Sequence, residues 1–242
     1  MREWALKCAM VGTMGLLACL GARPVGAVPC VTGDAASYET LGAGGCTIGD
    51  KTFSNFNFSD PPIGTGIPDA NIVIKPGTDL LVPGDIGFTL AIDGFAVSSP
   101  ASPAIEGILL TYTVSAPSAT ITDSYLSFPT GGGSAEGPAG LARVDETLCP
   151  VGQACLNAIS VLVSPMSTTT SDQTSFDPVQ TINVSKLMQV FALGETGGSS
   201  ATISEVDQSF TQTSTVPEPA TLLLLGTGFV GAGFAARRMR RK

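Results

Sequence analysis

Short runs of β-branched and apolar residues, each closed by Gly, Pro, Asp or Ser, fill the middle of this 242-residue chain. In one of them, residues 107–114, the larger side chains Ile108, Leu110, Tyr112 and Val114 alternate with smaller or polar neighbours. A period of two is typical of a half-buried β-strand. No long stretch outside the two termini shows a strong helical period. We therefore expect an all-β fold, an antiparallel β-sandwich of about nine strands.

Several other segments carry the same strand signals. Asp93-Gly94 is a two-residue hairpin signal between the expected strands 87–92 and 95–97. Within the expected strand 181–193, a short helix over 185–193 is the alternative, because Leu187, Met188 and Phe191 could share one helical face. The remaining expected strands are 53–58, with Phe56 and Phe58 on one face, 72–74, 119–128, 141–148, 158–163 and 201–213.

The N-terminus has the three zones of a secretory signal peptide. A charged start is followed by the uncharged apolar stretch 8–20 and then by small residues that end at Ala27. We expect cleavage before Val28, which makes 1–27 the signal peptide and signal peptidase a processing partner. A lipoprotein in which Cys19 is acylated is the alternative, but Leu two positions before that cysteine fits it poorly.

The C-terminus combines a short motif, an apolar segment and a basic tail. Pro217, Glu218 and Pro219 precede residues 220–236, which carry no charge and are expected to form a single helix at the short limit of a membrane span. Five basic residues then stop translocation, namely Arg237, Arg238, Arg240, Arg241 and Lys242. This order predicts a single-pass precursor with an exported body and a small cytoplasmic tail.

The tripartite C-terminus resembles the PEP-CTERM sorting signal of exported bacterial proteins. The resemblance implies that exosortase, a membrane transpeptidase, recognises Pro217-Glu218-Pro219, removes the helix and passes the body to the cell surface or extracellular matrix. Proteins of this kind usually accompany exopolysaccharide and biofilm production. The body is also similar to a group of PEP-CTERM proteins that brings no known activity, in segments 28–30, 45–56, 144–149, 184–186 and 203–210. We thus divide the chain into 1–27, an ectodomain over 28–214 and the sorting signal over 215–242.

Charge excludes one class of partner. The whole chain carries a net charge of −8, but residues 28–216 hold only four basic and eighteen acidic residues, a net charge of −14. Nucleic acid needs a basic face, so we expect none to bind. Such a surface also repels anionic polymers. Divalent cations could bridge it to acidic polysaccharide, although a solvated acidic surface is the simpler interpretation.

Four of the six cysteines remain after the signal peptide, Cys30, Cys46, Cys149 and Cys155. An even number in an oxidising compartment predicts disulfides. Of the three possible pairings we favour Cys30–Cys46 with Cys149–Cys155, because each closes a local loop. A metal site at these cysteines is the weaker alternative, because the spacing lacks C-x-x-C and the chain has no His.

The absence of His and of Trp from the body narrows the chemistry. No His-based triad or zinc site can form, so an enzyme would need paired carboxylates. The candidates are Asp50, Asp60, Asp69, Asp79, Asp85 and Asp145-Glu146. Most lie in turn contexts, where Asp forms turns. We predict no catalytic residues and no cofactor; calcium at loop aspartates such as Asp79 and Asp85 is an alternative.

Three functions remain open. The leading one is a structural or matrix protein that associates with exopolysaccharide at the cell surface. The second is a carbohydrate-binding module that uses the loops of the sandwich. The third is a hydrolase that relies on carboxylates alone.

Overall fold

Strands occupy most of the described part of the chain in a computed structural model of the protein. The described residues are 28–61, 66–78, 80, 83–99, 102–194 and 198–214. The predicted signal peptide and sorting signal, with Pro217, Glu218, Pro219 and the basic tail, lie outside them. The strands are β1 (Val28–Pro29), β2 (Gly33–Asp34), β3 (Cys46–Ile48), β4 (Lys51–Ser59), β5 (Ile72–Thr78), β6 (Ile86–Ile92), β7 (Ala96–Ser99), β8 (Ala104–Ser115), β9 (Ala119–Ser127), β10 (Gly133–Glu136), β11 (Gly140–Pro150), β12 (Leu156–Val163), β13 (Thr168–Thr169), β14 (Ser171–Val179), β15 (Thr181–Ala192), β16 (Ser199–Ile203) and β17 (Glu205–Ser214).

Two large sheets form a sandwich. The first has the order β1-β3-β4-β8-β15-β11-β12-β13, and the second has the order β14-β9-β17-β6-β5-β2. All pairs are antiparallel except β1–β3. Aromatic rings meet between the sheets: Phe53 of β4 lies 5.7 Å from Phe88 of β6, and Tyr112 of β8 lies 6.5 Å from Phe210 of β17, measured between ring centroids. The all-β antiparallel sandwich predicted from the sequence is confirmed.

A bulge in β4 lets three phenylalanines reach the same core. The register between β4 and β8 shifts between Ser54 and Asn57, and Asn55 has a φ of +54°. The extra residue moves the alternation by one position. As a result Phe53 and Phe56 are both buried although they are three positions apart, and Phe58 packs partly against the same core. A donated bond from Asn55 N to Gly42 O, 2.8 Å long, holds the bulge.

The hairpin predicted at Asp93-Gly94 is wrong. The strands that flank it lie in different sheets, because β6 belongs to the six-stranded sheet and β7 to a small sheet of order β10-β16-β7. Phe95, only 1% exposed, enters the core at this point and carries the chain from one sheet to the other. The predicted strand 201–213 breaks at Ser204 in the same way, and Ile92 N donates to Ser204 O there.

The helix alternative for 185–193 is also wrong. This segment belongs to β15, which pairs with β8 and β11 over its full length and alternates buried and half-buried residues. The sequence analysis missed a short helix, α1 (Ala35–Glu39), which Asp34 caps by accepting a 2.8 Å bond from Ser37 N. It also missed β14, whose polar residues lack an apolar alternation. A 3₁₀ turn covers Asp69–Asn71. No helix among the described residues has the length and apolar character needed to cross a bilayer.

Candidate functional sites

The four body cysteines form two disulfides in the pairing that the sequence favours. Cys30 is bonded to Cys46 and Cys149 to Cys155, with sequence separations of 16 and 6. The first joins the segment after β1 to β3, and the second closes the turn between β11 and β12. Both are local clamps. Neither links β17 to the large sheet.

The adjacent carboxylates Asp145 and Glu146 point to opposite faces of β11. Asp145 lies on the outer face and binds Arg143, with 2.7 Å between Asp145 Oδ1 and a guanidinium nitrogen. Glu146 is buried on the inner face and pairs with Lys186. Because consecutive residues of a strand alternate between faces, these two side chains do not form a catalytic pair.

The turn aspartates have separate structural partners. Asp85 is fully buried and accepts a 2.8 Å bond from Ser209 Oγ, while Asp50 accepts a 2.6 Å bond from Gln212 Nε2. Asp69 begins the 3₁₀ turn, and Asp79 lies outside the described residues. Within the described ranges, no three Asp, Glu or Cys side chains gather into a group able to hold a metal ion.

A buried polar cluster joins the two sheets at the centre of the core. Lys186 of β15 and Glu146 of β11 are directly opposite each other in adjacent strands and form an ion pair. Lys186 Nζ also donates to Gln208 Oε1 of β17, 2.5 Å away. Ser124 of β9 completes the cluster: its Oγ donates to Glu146 Oε1 at 2.8 Å and accepts from Gln208 Nε2 at 2.7 Å. We call these four residues the Lys186 cluster.

A second cluster of the same composition lies at one end of the sandwich. Lys51 of β4 is fully buried, and its Nζ donates to Gln212 Oε1 of β17 at 2.8 Å. Gln212 Nε2 in turn donates to Asp50 Oδ2, and Asp50 Oδ1 lies 3.9 Å from Lys51 Nζ. We call these three residues the Lys51 cluster. Both clusters therefore hold an amine, a primary amide and a carboxylate in mutual contact.

Burial lowers the pKa of both amines. Desolvation lowers the pKa of Lys186, and the charge of Glu146 and its hydrogen bond oppose that shift. Desolvation likewise lowers the pKa of Lys51 against the charges of Asp50, Asp85 and Asp123. In both clusters, deprotonation of the lysine to the neutral amine thus costs less free energy than it does for a lysine in water. Burying an ion pair costs more than its Coulomb energy returns in many proteins, so two such lysines in one core are unusual.

One end of the outer face of the large sheet is polar and uncharged across four strands. The residues are Asn55, Asn57, Thr52 and Ser59 of β4; Thr111, Thr113 and Ser115 of β8; Thr181, Asn183 and Ser185 of β15; and Thr147 of β11. We call this set the polar face. It contains no Asp, Glu, Lys or Arg, whereas the body around it carries a net charge of −14. The Arg143–Asp145 ion pair lies at its border.

Hydrogen bonds fix several side chains of the polar face across neighbouring strands. Asn55 Nδ2 donates to Thr113 Oγ1 at 3.4 Å, and Thr113 Oγ1 donates to Asn183 Oδ1 at 2.9 Å. Ser115 Oγ and Thr181 Oγ1 lie 3.3 Å apart. The three asparagines are exposed, so their remaining donors and acceptors point to solvent. The sequence analysis did not identify this face, because its members are spread over four strands. Only the register of the sheet brings them together.

Comparison with known proteins identifies the C-terminal segment. The family model of the PEP-CTERM protein-sorting motif matches residues 215–241. The chain carries a PEP-CTERM sorting signal. Such a signal implies an exported, membrane-anchored precursor that is sorted to the cell surface and processed by an exosortase. No curated protein matches the sequence.

Several solved structures match part of the chain at low similarity. TmCBM61 in complex with β-1,4-galactotriose matches 66% of this chain and 90% of its own, with 9% identity and a TM-score of 0.30. The CBM32 module of AlyQ in complex with 4,5-unsaturated mannuronic acid matches 49% of this chain and 81% of its own, with 18% identity and a TM-score of 0.20. The enzymatically active domain of bacteriophage CBA120 tailspike protein 4 matches 68% of this chain and 20% of its own, with 13% identity and a TM-score of 0.20.

Proposed function

We propose that this PEP-CTERM protein is a component of the cell surface or extracellular matrix that associates with exopolysaccharide, and that it acts by binding and not by catalysis. The proposed association with exopolysaccharide rests on the polar face. It offers hydroxyl and amide groups, each of which can donate and accept hydrogen bonds, on an extended sheet. Polysaccharides present the same kinds of groups along their length.

Charge favours a neutral polysaccharide over an acidic one. The body repels anionic polymers through its net charge of −14, whereas the polar face itself carries no charge. A neutral chain can approach this face without electrostatic cost. The hydrogen bonds among Asn55, Thr113 and Asn183 hold those side chains in place before binding, which lowers the entropic cost of ordering them.

The positions of the carboxylates support a role without catalysis. Glycoside hydrolysis needs two carboxyl groups on opposite sides of one bond. Asp145 and Glu146 face opposite sides of the sheet, and Asp50 and Asp85 are each engaged by a side chain from β17. A carboxylate-only hydrolase therefore has less support than a binding or matrix protein.

The test is sedimentation of the exported protein with insoluble cellulose as a neutral probe. The double substitution N57A/N183A removes two exposed amides from the polar face and leaves the core intact. Each lost hydrogen bond is worth about 1 kcal/mol, so the loss of two should lower the affinity roughly thirtyfold. The matched control is Q173A/S175A, two exposed polar residues of β14 in the other sheet.

Sedimentation with the control variant is expected to equal that of the unaltered protein. Soluble alginate, an anionic polymer, is expected not to compete at low salt. Equal loss of binding in both double variants, or competition by alginate as strong as that by soluble neutral glucan, would contradict the assignment of the polar face. Binding of the host's own matrix through another face would leave the surface role intact and reject only this location.

A further inference from the structure

Two of the three lysines in the body share one unusual environment. Lys51 and Lys186 are each 0% exposed, and each donates to the Oε1 atom of a glutamine on β17. Gln208 and Gln212 are four residues apart on that strand, so both point into the core. The third lysine, Lys75, is exposed and pairs with Glu205. Neither membership of a sorting family nor solubility explains why two amines are buried against two amides.

We propose that each buried lysine becomes joined to its glutamine by an intramolecular amide bond, Lys186 to Gln208 and Lys51 to Gln212. The two bonds would staple β15 and β4 of the large sheet to β17 of the facing sheet. This is a self-modification of the folded chain, independent of the proposed binding to polysaccharide.

The reacting atoms are already adjacent in both clusters. The nucleophile Nζ lies 2.5 Å from Oε1 in the Lys186 cluster and 2.8 Å from it in the Lys51 cluster, and this oxygen is bonded to the amide carbon Cδ that would be attacked. Such proximity converts an otherwise slow aminolysis into a reaction within one molecule. A lysine is a nucleophile only as the neutral amine, and desolvation favours that form. In the Lys186 cluster, whose four residues are all buried, exclusion of water also protects the amide from hydrolysis.

A continuous path connects the amine to the leaving nitrogen in the Lys186 cluster. Glu146 accepts a hydrogen bond from Lys186 Nζ through one oxygen and from Ser124 Oγ through the other. Ser124 Oγ accepts from Gln208 Nε2, the nitrogen that would leave. Glu146 is therefore placed to remove a proton from the nucleophile, and Ser124 can deliver one to the leaving group once its hydroxyl turns from Glu146 towards Nε2. In the Lys51 cluster Asp50 has both roles, because its carboxylate contacts Gln212 Nε2 directly and lies 3.9 Å from Nζ.

The reaction balances without an oxidant or a cofactor. The carboxylate first takes one proton from the lysine ammonium. The Nζ lone pair then attacks Cδ and forms the new C–N bond. A second Nζ proton passes to Nε2, the Cδ–Nε2 bond breaks, and the nitrogen leaves as ammonia. The carboxylate finally returns its proton to ammonia, which leaves as ammonium.

The experiment is the mass of the full exported protein after reduction and denaturation. We expect a mass lower by two ammonia molecules than the sequence of the recovered chain requires. Digestion with trypsin and chymotrypsin, which cuts after Phe210 between the two glutamines, should yield two branched peptides, one that contains Lys186 and Gln208 and one that contains Lys51 and Gln212. Loss of one ammonia supports the cluster whose branched peptide is found and rejects the other. An unshifted mass with four linear peptides would overturn the proposal.

Variants separate the chemistry from folding. Lys186→Met keeps an unbranched apolar side chain in the core and should lose one ammonia fewer, while the bond at Lys51 remains. Glu146→Gln should stop the first bond in molecules that fold, which far-ultraviolet circular dichroism identifies. The matched control is Lys75→Met, an exposed lysine, whose mass deficit should equal that of the unaltered protein. An undiminished deficit in Lys186→Met would also contradict the assignment.

Discussion

Replacement of Tyr112 by Phe should stabilise the protein, which is the opposite of the usual effect of a core substitution. Tyr112 is 2% exposed, and its hydroxyl makes no hydrogen bond among the described residues. Its ring stacks on Phe56 at 5.4 Å between centroids and 12° between planes, and Phe preserves that contact. The substitution therefore removes only a buried polar atom whose desolvation is not compensated.

The size of the effect follows from that desolvation. A buried polar group without a partner costs about 1–3 kcal/mol. For a domain of this size, each kcal/mol moves the melting temperature by about 2–4 °C, so we expect a rise of roughly 2–12 °C. The assay is thermal unfolding by circular dichroism at neutral pH.

Tyr38→Phe is the matched control and should have the opposite sign. Tyr38 is also buried, but its hydroxyl donates a 2.8 Å bond to Val31 O. Loss of that bond should cost about 0.5–1.5 kcal/mol. If Tyr112→Phe lowers the melting temperature as much as Tyr38→Phe does, the Tyr112 hydroxyl has a partner in solution and the reasoning fails.

Three further predictions concern stability. Replacing the Cys30–Cys46 disulfide by serines should lower the free energy of unfolding by about 3 kcal/mol, and replacing Cys149–Cys155 should lower it by about 2 kcal/mol, because the first disulfide closes the longer loop. Urea unfolding of the two double variants should show that order. Gly87→Ala should lower the free energy of unfolding by about 3 kcal/mol or more, because the new Cβ would lie 1.8 Å from a backbone oxygen. Gly152→Ala, in open space at a φ of +86°, should lower it by only about 1 kcal/mol. Equal losses in urea unfolding would be inconsistent with this packing. Burial raises the pKa of Tyr38 to about 12 from 10.0. The neutral Tyr38 hydroxyl therefore contributes fully to folding stability below pH 10, and that contribution is lost as the pH rises towards 12. The free energy of unfolding, measured by urea unfolding at alkaline pH, should fall less over that interval in Tyr38→Phe than in the unaltered protein.

The sequence predicts the strands well because a two-residue alternation directly encodes burial on one side of a sheet. Strand β8 illustrates this: Ile108, Leu110, Tyr112 and Val114 are all buried. The sequence fails where one large residue decides between two sheets. Asp93-Gly94 has the local chemistry of a hairpin, but burial of Phe95 sends the chain into another sheet.

The candidate sites depend on register, which no local pattern contains. Lys186 and Gln208 are 22 positions apart, and Lys51 and Gln212 are 161 apart. A lysine flanked by apolar strand residues at an inward position, as Lys186 is between Val184 and Met188, is the one sequence signal that could have suggested a buried amine. From the sequence alone, these lysines entered only the net charge of the body, and their burial was not predicted.

Delivery through the sorting signal can be tested by the intact mass of the protein recovered from the cell surface, in the presence and in the absence of exosortase. With exosortase, we predict a chain that begins at Val28 and lacks the apolar segment and the basic tail after Pro217-Glu218-Pro219. Without exosortase, the same measurement should show the C-terminal segment retained in the membrane fraction. Surface material that ends in Arg241-Lys242 in every molecule would contradict delivery through the sorting signal.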